Sequence, residues 1–202
     1  MYKCLVESYV LRKLVIITPT IGRNNLIRTC NSINEQSFKN WEHIILFDNV
    51  SDEKINNLLT QIPYEPTIIK GIWNNYGNGQ RFEAWEYTDI NSIITYIDDD
   101  DDYYNNKVFQ KIIDKFSSNS TLDAVFWPGL RYGKIFFNKP PQSGKTMSNQ
   151  FAHKKYDKDK NPIRWPFSKN NNKNYAIDGE FINYISNNLN YDYIEGEPLV
   201  VV

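Results

Sequence analysis

The chain has little of what would mark a secreted, membrane-spanning or zinc-knuckle protein. Only two of its 202 residues are cysteines, Cys4 and Cys30. Neither belongs to a Cys-x-x-Cys pair, so neither a disulfide framework nor a zinc motif is indicated. A reducing compartment is the default for such a chain, and a cytoplasmic location is expected. Met1 to Lys13 carries Glu7, Arg12 and Lys13 and no apolar stretch, so no signal peptide is expected. No apolar run approaches the ~20 residues of a transmembrane segment. There is no internal repeat. The net charge is only −1, which argues against a general affinity for nucleic acid.

What is present is a globular composition, 41% hydrophobic and 15% aromatic, in a chain long enough for one domain with a sizeable core. Leu14 to Ile17 is a short β-branched run closed by Thr18-Pro19-Thr20, and it predicts a buried strand and a turn. Leu26, Ile27, Cys30 and Ile33 share helical spacing. His43 to Phe47 predicts a second strand, ending at Asp48-Asn49. A helix through Ile55, Leu58 and Leu59 follows, with Ser51 or Asp52 as its cap. Thr67 to Ile69 predicts a third strand, Arg81 to Tyr87 a helix and Ile93 to Ile97 a fourth strand. Val108, Phe109, Ile112, Ile113 and Phe116 share one helical face. Ala124 to Trp127 and Lys134 to Phe137 predict further strands, the latter part of a hairpin through Gly133. This alternation implies an α/β fold with a mostly parallel central sheet and helices on both faces.

From Lys139 to Lys173 the character changes, with nine Lys or Arg against two Asp. The segment 139–174 predicts a long basic loop, and loops of that length in a compact domain are usually functional. Order resumes with a helix over Glu180 to Ile185 and a last strand within Pro198 to Val202.

The most specific chemical signal is a run of five aspartates, Asp98 to Asp102, directly after the apolar stretch Ser92 to Ile97. Carboxylates so close together disfavour joint ionisation. A divalent cation held by oxygen ligands relieves that conflict. In open α/β sheets ligands bind beyond the carboxyl ends of the strands, where this run falls. The alternative reading is a solvated acidic loop or an Asp-rich helix start. An EF-hand does not fit. Counted from Asp98, the sixth and twelfth residues are Tyr103 and Phe109, where Gly and Glu are required.

Taken in order, these motifs resemble family 2 glycosyltransferases of the GT-A fold. The matching residues are Val15 to Thr20, Arg23, Leu26, Ser32-Ile33, Gln36, Trp41-Glu42, Asp48 and Ser51-Asp52. The aspartate run, with Tyr104, Asn106 and Lys107 after it, matches the family's Asp-x-Asp-Asp motif. Val50 stands where the family usually has Gly. The resemblance covers about the first 115 residues well. It implies a single GT-A domain over 1–202, with residues 14–115 as the nucleotide-sugar half and 120–202 as the acceptor side.

The resemblance also implies roles. Asp98 would lie near the donor ribose and beside the metal, and Asp100 on Mn²⁺ or Mg²⁺, with Asp99 or Asp101 supporting. Pro19, Thr20 and Asp48 would contact the nucleotide, although a strand-ending turn explains Pro19 and Asp48 as well. Arg81 suits phosphate or base carbonyls. An inverting transfer needs a carboxylate base, for which Asp178 is preferred and Glu180 is the alternative. His153 is a further candidate for the metal shell. Trp165 is a candidate for stacking on a sugar, and the basic loop for a lid that excludes water.

The expected function is metal-dependent transfer of a sugar from a nucleoside-diphosphate sugar to an acceptor hydroxyl. The acceptor is left open among a glycan, a lipid-linked sugar and a protein, as is peripheral contact with an anionic membrane. Two rivals stand beside this reading. One is a sugar nucleotidyltransferase, which would want a Gly-rich phosphate loop where Pro19 to Arg23 has one Gly. The other is a non-catalytic domain that binds a nucleotide sugar or a cation.

Overall fold

The computed structural model describes residues 12–166 and 177–202. The first strand, β1 (Leu14–Thr20), is buried along its whole length. A strand covered on both faces needs consecutive apolar residues rather than alternating ones, and Leu14 to Ile17 supplies them. α1 (Leu26–Asn34) buries Leu26, Thr29, Cys30 and Ile33. After β2 (Trp41–Asp48) comes α2 (Asp52–Leu59), whose cap is Ser51. Its hydroxyl accepts from the Lys54 amide at 3.4 Å.

Next come β3 (Thr67–Gly71), α3 (Asn78–Ala84) with a 3-10 turn at Trp85–Tyr87, and β4 (Ile93–Tyr96), which ends just before the aspartate run. The second half holds β5 (Asp102–Tyr103), α4 (Val108–Ser118), β6 (Ala124–Phe126), β7 (Gly129–Arg131), β8 (Lys134–Phe136) and β9 (Phe151–Lys154). It ends with α5 (Ile177–Asn188), β10 (Tyr191–Tyr193) and β11 (Val200–Val201).

The main sheet has seven strands in the order β10-β6-β9-β4-β1-β2-β3. Every neighbouring pair is parallel except those made by β9, which runs antiparallel to both β4 and β6. Successive residues of β1 serve opposite faces, as the period of a strand requires. Leu14 and Ile16 pack with Phe109, Ile112 and Phe116 of α4. Val15 and Ile17 pack with Phe181, Ile182 and Ile185 of α5. On β2, Ile45 and Phe47 join Leu26 and Cys30 of α1 and Ile55 and Leu58 of α2. The α/β sheet with helices on both faces is therefore the observed fold. A second sheet of four strands, β5-β11-β7-β8, stands beside it. Among the described residues no helix is long and apolar enough to cross a membrane.

The basic segment 139–174 is not simply a loop. Its residues 151–154 form β9 inside the main sheet, where Ala152 pairs with Thr95 on one side and Val125 on the other. Phe151, Ala152 and His153 are fully buried, as is Trp165 further on. A four-residue strand, Phe151–Lys154, is too short to show a period. It becomes a strand because it fills the gap between β4 and β6. Residues 167–174, which the lid reading also covers, lie outside the described residues.

α5 is fastened by aromatic contacts. The Phe181 ring lies 5.7 Å from Phe151, 5.3 Å from His153 and 5.1 Å from Trp165, between centroids. Phe181→Ala is expected to remove about 3–5 kcal/mol of stability, measured by urea unfolding. A loss of no more than about 0.5 kcal/mol, the range of surface substitutions, would contradict this packing.

Candidate active site

β1, β2 and β4 are neighbours and parallel, so their carboxyl ends come together. Each end carries a polar group. Thr20, on β1, donates its hydroxyl to Asp99 Oδ2 at 2.5 Å and accepts from the Gly22 amide at 2.8 Å. This bond ties the end of β1 to the aspartate run. Asp48, on β2, accepts from the Trp73 amide at 2.8 Å and the Asn74 amide at 2.9 Å, one on each oxygen. It clamps the loop after β3, and each carboxylate oxygen keeps a free lone pair.

That loop folds back over β1. Gly77 has φ +84°, and a Cβ there would sit 2.9 Å from Pro19 Cγ and 2.7 Å from Arg81 Nη1. Only glycine permits both the backbone conformation and the approach. Pro19 is thus a packing surface for the loop.

Arg81, on α3, is buried. Its Nη2 pairs with Asp98 Oδ1 and its Nη1 donates to the Tyr76 carbonyl at 3.4 Å. Its guanidinium lies 5.0 Å from the Trp165 ring centroid. Trp165 is held in turn by its own N–H, which donates to Asn78 Oδ1 at 3.1 Å. Trp165 is therefore a core residue that backs Arg81, not an exposed platform for a sugar. Arg81 Nε is buried without a hydrogen-bond partner among the described residues.

The aspartate run is sorted by side. Asp98 and Asp100 remain 40% and 46% exposed at their side chains, whereas Asp99 and Asp101 are buried. Arg23 reaches Asp99 at 3.2 Å and Asp100 at 2.8 Å. Arg28 pairs with Asp102 at 2.7 Å and donates to the Asp100 carbonyl at 2.6 Å. The Thr29 hydroxyl donates to the Asp101 carbonyl at 2.7 Å. Asn149 donates to Asp101 Oδ2 at 2.5 Å.

Burial, then the negative charges of Asp98 and Asp100, push the Asp101 carboxyl up to about 8. Burial also raises Asp99 above the usual carboxylate range, against the opposing pull of Thr20 and Arg23. The crowding read from the sequence is thus real. Arg23, Arg28 and Arg81 answer it with positive charge. Neither Arg28 nor Asn149 was anticipated, and Arg23 was expected only as a family match. The available signal was two arginines just after β1, on the turn and helix that must sit beside the end of β4.

His153 does not join this cluster. On β9 it pairs with Ile94 of β4, four residues before Asp98, and it is fully buried. Its Nδ1–H donates to the Lys154 carbonyl at 2.7 Å, so Nε2 accepts from the Tyr96 hydroxyl at 3.0 Å. Both ring nitrogens are engaged, and burial pushes its pKa down to about 4. The metal-shell expectation for His153 is therefore corrected: the residue is a neutral part of the sheet core. Among the described residues, no group of three or more His, Cys, Asp or Glu is arranged to hold a cation.

Asp178 and Glu180 lie in the first turn of α5, Asp178 half-buried and Glu180 exposed. Asp178 Oδ1 accepts from the Gly179 amide at 2.8 Å. A Cβ on Gly179 would fall 1.9 Å from Ser143 Oγ, so the helix start is seated tightly on the turn at Ser143. Through Phe181, Trp165 and Arg81, that helix is in packed contact with the residue that grips Asp98.

Parallel strands ending together in an acidic, arginine-braced crevice define an α/β domain of GT-A architecture. The chain belongs to glycosyl transferase family 2, whose model matches residues 15–178. No curated protein matches it. Among solved structures it is similar to S. aureus TarS 1–349, with TM-score 0.73 and 13% identity over 94% of this chain and 60% of that one. The same fragment in complex with UDP-GlcNAc gives 0.71 and 13%, over 95% and 58%. The mannosyltransferase PcManGT from Pyrobaculum calidifontis, in complex with GDP-Man and Mn²⁺, gives 0.68 and 13%, over 94% and 56%. The chain thus spans about 60% or less of these structures.

Burial lowers His153 from 6.5 to about 4 and His43 to about 3. Between pH 6.5 and 4 the unfolded chain binds protons that the folded chain excludes, so stability falls as pH drops through that window. The ring-proton NMR signals of both histidines should stay fixed from pH 8 to about 5. A His153 signal titrating near 6.5 would contradict its buried, neutral role.

Proposed function

We propose that this protein transfers a sugar from a nucleoside-diphosphate sugar to an acceptor hydroxyl, with inversion at the anomeric carbon and with Mn²⁺ or Mg²⁺. The observation that carries the reading is the sorting of the aspartate run. Its two half-exposed carboxylates, Asp98 and Asp100, lie where three parallel strands end, and family membership supports reading that crevice as the donor site. The solved relatives in complex with UDP-GlcNAc, and with GDP-Man and Mn²⁺, support a nucleotide-sugar donor.

The donor set fits a hard cation. Such ions take oxygen ligands, and Mg²⁺ is commonly held by one or two carboxylates together with substrate phosphates. Asp98 and Asp100 would supply the protein's share, so a third protein ligand is not required. The bound ion would neutralise charge developing on the leaving diphosphate. Asp99 and Asp101, buried behind them, would keep the two outer carboxylates in place. Thr20 and Pro19 would border the nucleotide, and Asp48 has acceptor capacity left for ribose or base. Arg81 presents a fixed guanidinium that suits phosphate or a base carbonyl.

Residues 14–115 would then hold the donor and residues 120–202 the acceptor side. Asp178, half-buried at the head of α5, would take the proton from the acceptor hydroxyl on the face opposite the leaving group. Glu180 is the alternative base, further out on the same turn. The acceptor class stays among a glycan, a lipid-linked sugar and a protein. A reducing, cytoplasmic setting belongs to the same proposal, and the free, buried Cys30 is compatible with it.

Asp178→Asn is expected to lower sugar transfer by roughly 10²-fold or more, the usual scale of general-base loss, while donor affinity measured by calorimetry is kept. Glu180→Gln should change transfer far less. The reverse pattern would move the base to Glu180. Donor binding without transfer in the unaltered protein, across all three acceptor classes, would favour a non-catalytic nucleotide-sugar binder.

A further inference from the structure

The β7–β8 hairpin is built against its own local preferences. Its turn, Tyr132-Gly133, has positive φ at both residues, +51° and +71°, as a two-residue type I′ turn requires. Asn, Asp or Gly normally fills the first of these positions, because a larger side chain crowds the backbone in the left-handed region. Here it is tyrosine, and it is 87% exposed, so no burial in the fold compensates. Arg131 and Lys134 stand directly opposite each other across the hairpin, where like charges repel. Neither makes an ion pair among the described residues. The Arg131 guanidinium lies 5.4 Å from the Tyr132 ring centroid, and Ile135 beside them is 62% exposed.

The surroundings share this bias. From Ala124 to Tyr156 there is no Asp or Glu, against six Lys or Arg. β8 is the outer edge of the second sheet, and the opposite edge, β5, begins at Asp102, the last aspartate of the run. Local conflicts of this kind, retained without structural return, are expected where a surface has another task.

We propose that the tip of this hairpin docks on an anionic lipid surface. Arg131 and Lys134 meet headgroup phosphates, while Tyr132 and Ile135 enter the interfacial layer. Basic side chains near such a surface are attracted to it, and an amphipathic aromatic sits well at headgroup level. A soluble polyanion would satisfy the two cations but leave both apolar side chains in water, so a lipid surface fits the set better. The inference does not rest on the donor chemistry, and nucleotide binding by the same variants separates the two.

The test is co-sedimentation of the full chain with phosphatidylglycerol/phosphatidylcholine vesicles and with phosphatidylcholine vesicles alone. Binding is expected only to the anionic vesicles. Arg131→Gln with Lys134→Gln should weaken it by roughly tenfold or more. Tyr132→Asn keeps the turn with a favoured residue, so it should weaken vesicle binding while thermal stability stays level or rises. Ile135→Thr gives a second apolar probe that leaves the turn untouched. Three results would each overturn the proposal: no sedimentation with anionic vesicles, sedimentation unaffected by Tyr132→Asn and Ile135→Thr, or equal affinity for soluble polyphosphate with those two variants silent.

Discussion

Mutual repulsion within the aspartate run is the constraint around which the carboxyl end of the main sheet is arranged. Five adjacent carboxylates cannot all face one medium in ionised form. The chain separates them by direction. Asp99 and Asp101 turn inward, to Thr20 and Asn149, while Asp98 and Asp100 stay at the surface. Arginines from three places then supply opposing charge: Arg23 before α1, Arg28 on α1 and Arg81 on α3. Because Arg81 is buried, its position depends on what lies behind it, which is Trp165 and then Phe181 of α5. The far half of the chain is thereby mechanically joined to Asp98.

The same arrangement holds the proposed donor site in shape before any ligand arrives. The loop after β3 is pinned by Asp48 and by the glycine-permitted contact with Pro19. The loop after β4 is pinned by Thr20, Thr29 and Arg28. Preorganised polar groups cost little reorganisation when charge develops next to them. Of the three arginines, Arg23 and Arg28 are partly exposed while Arg81 is buried.

Much of the first half of the chain was legible because its signals are local. The strands at Leu14, His43, Thr67 and Ile93 are apolar runs closed by polar turns, and the helices at Leu26 and Val108 carry a clear apolar face. Family membership was likewise readable from the motifs between Val15 and Asp101. What was not legible depends on distant partners. β9 is four residues in a lysine-rich stretch, and only β4 and β6 on either side make it a strand. His153 is a candidate for the metal shell only through the family resemblance, and Trp165 a candidate for stacking on a sugar only as an aromatic residue in the basic segment. Both are core residues, since the segment passes through the sheet rather than over it. The arginine counter-charges were hidden for the same reason. Sequence places Arg23 and Arg28 some seventy residues from the aspartates, while the β1–β4 pairing sets them side by side.

The central claim is that the crevice at the ends of β1, β2 and β4 binds a nucleoside diphosphate through Asp100 and a divalent cation. A thermal-shift panel of nucleoside diphosphates and their sugars, each with and without Mn²⁺, tests it most directly. A ligand at about a hundred times its Kd stabilises the folded state by about 2.7 kcal/mol. The account predicts that one nucleotide stabilises the protein only when Mn²⁺ is present, and that Asp100→Asn abolishes the effect. The absence of stabilisation by any nucleotide, with or without the metal, would contradict it.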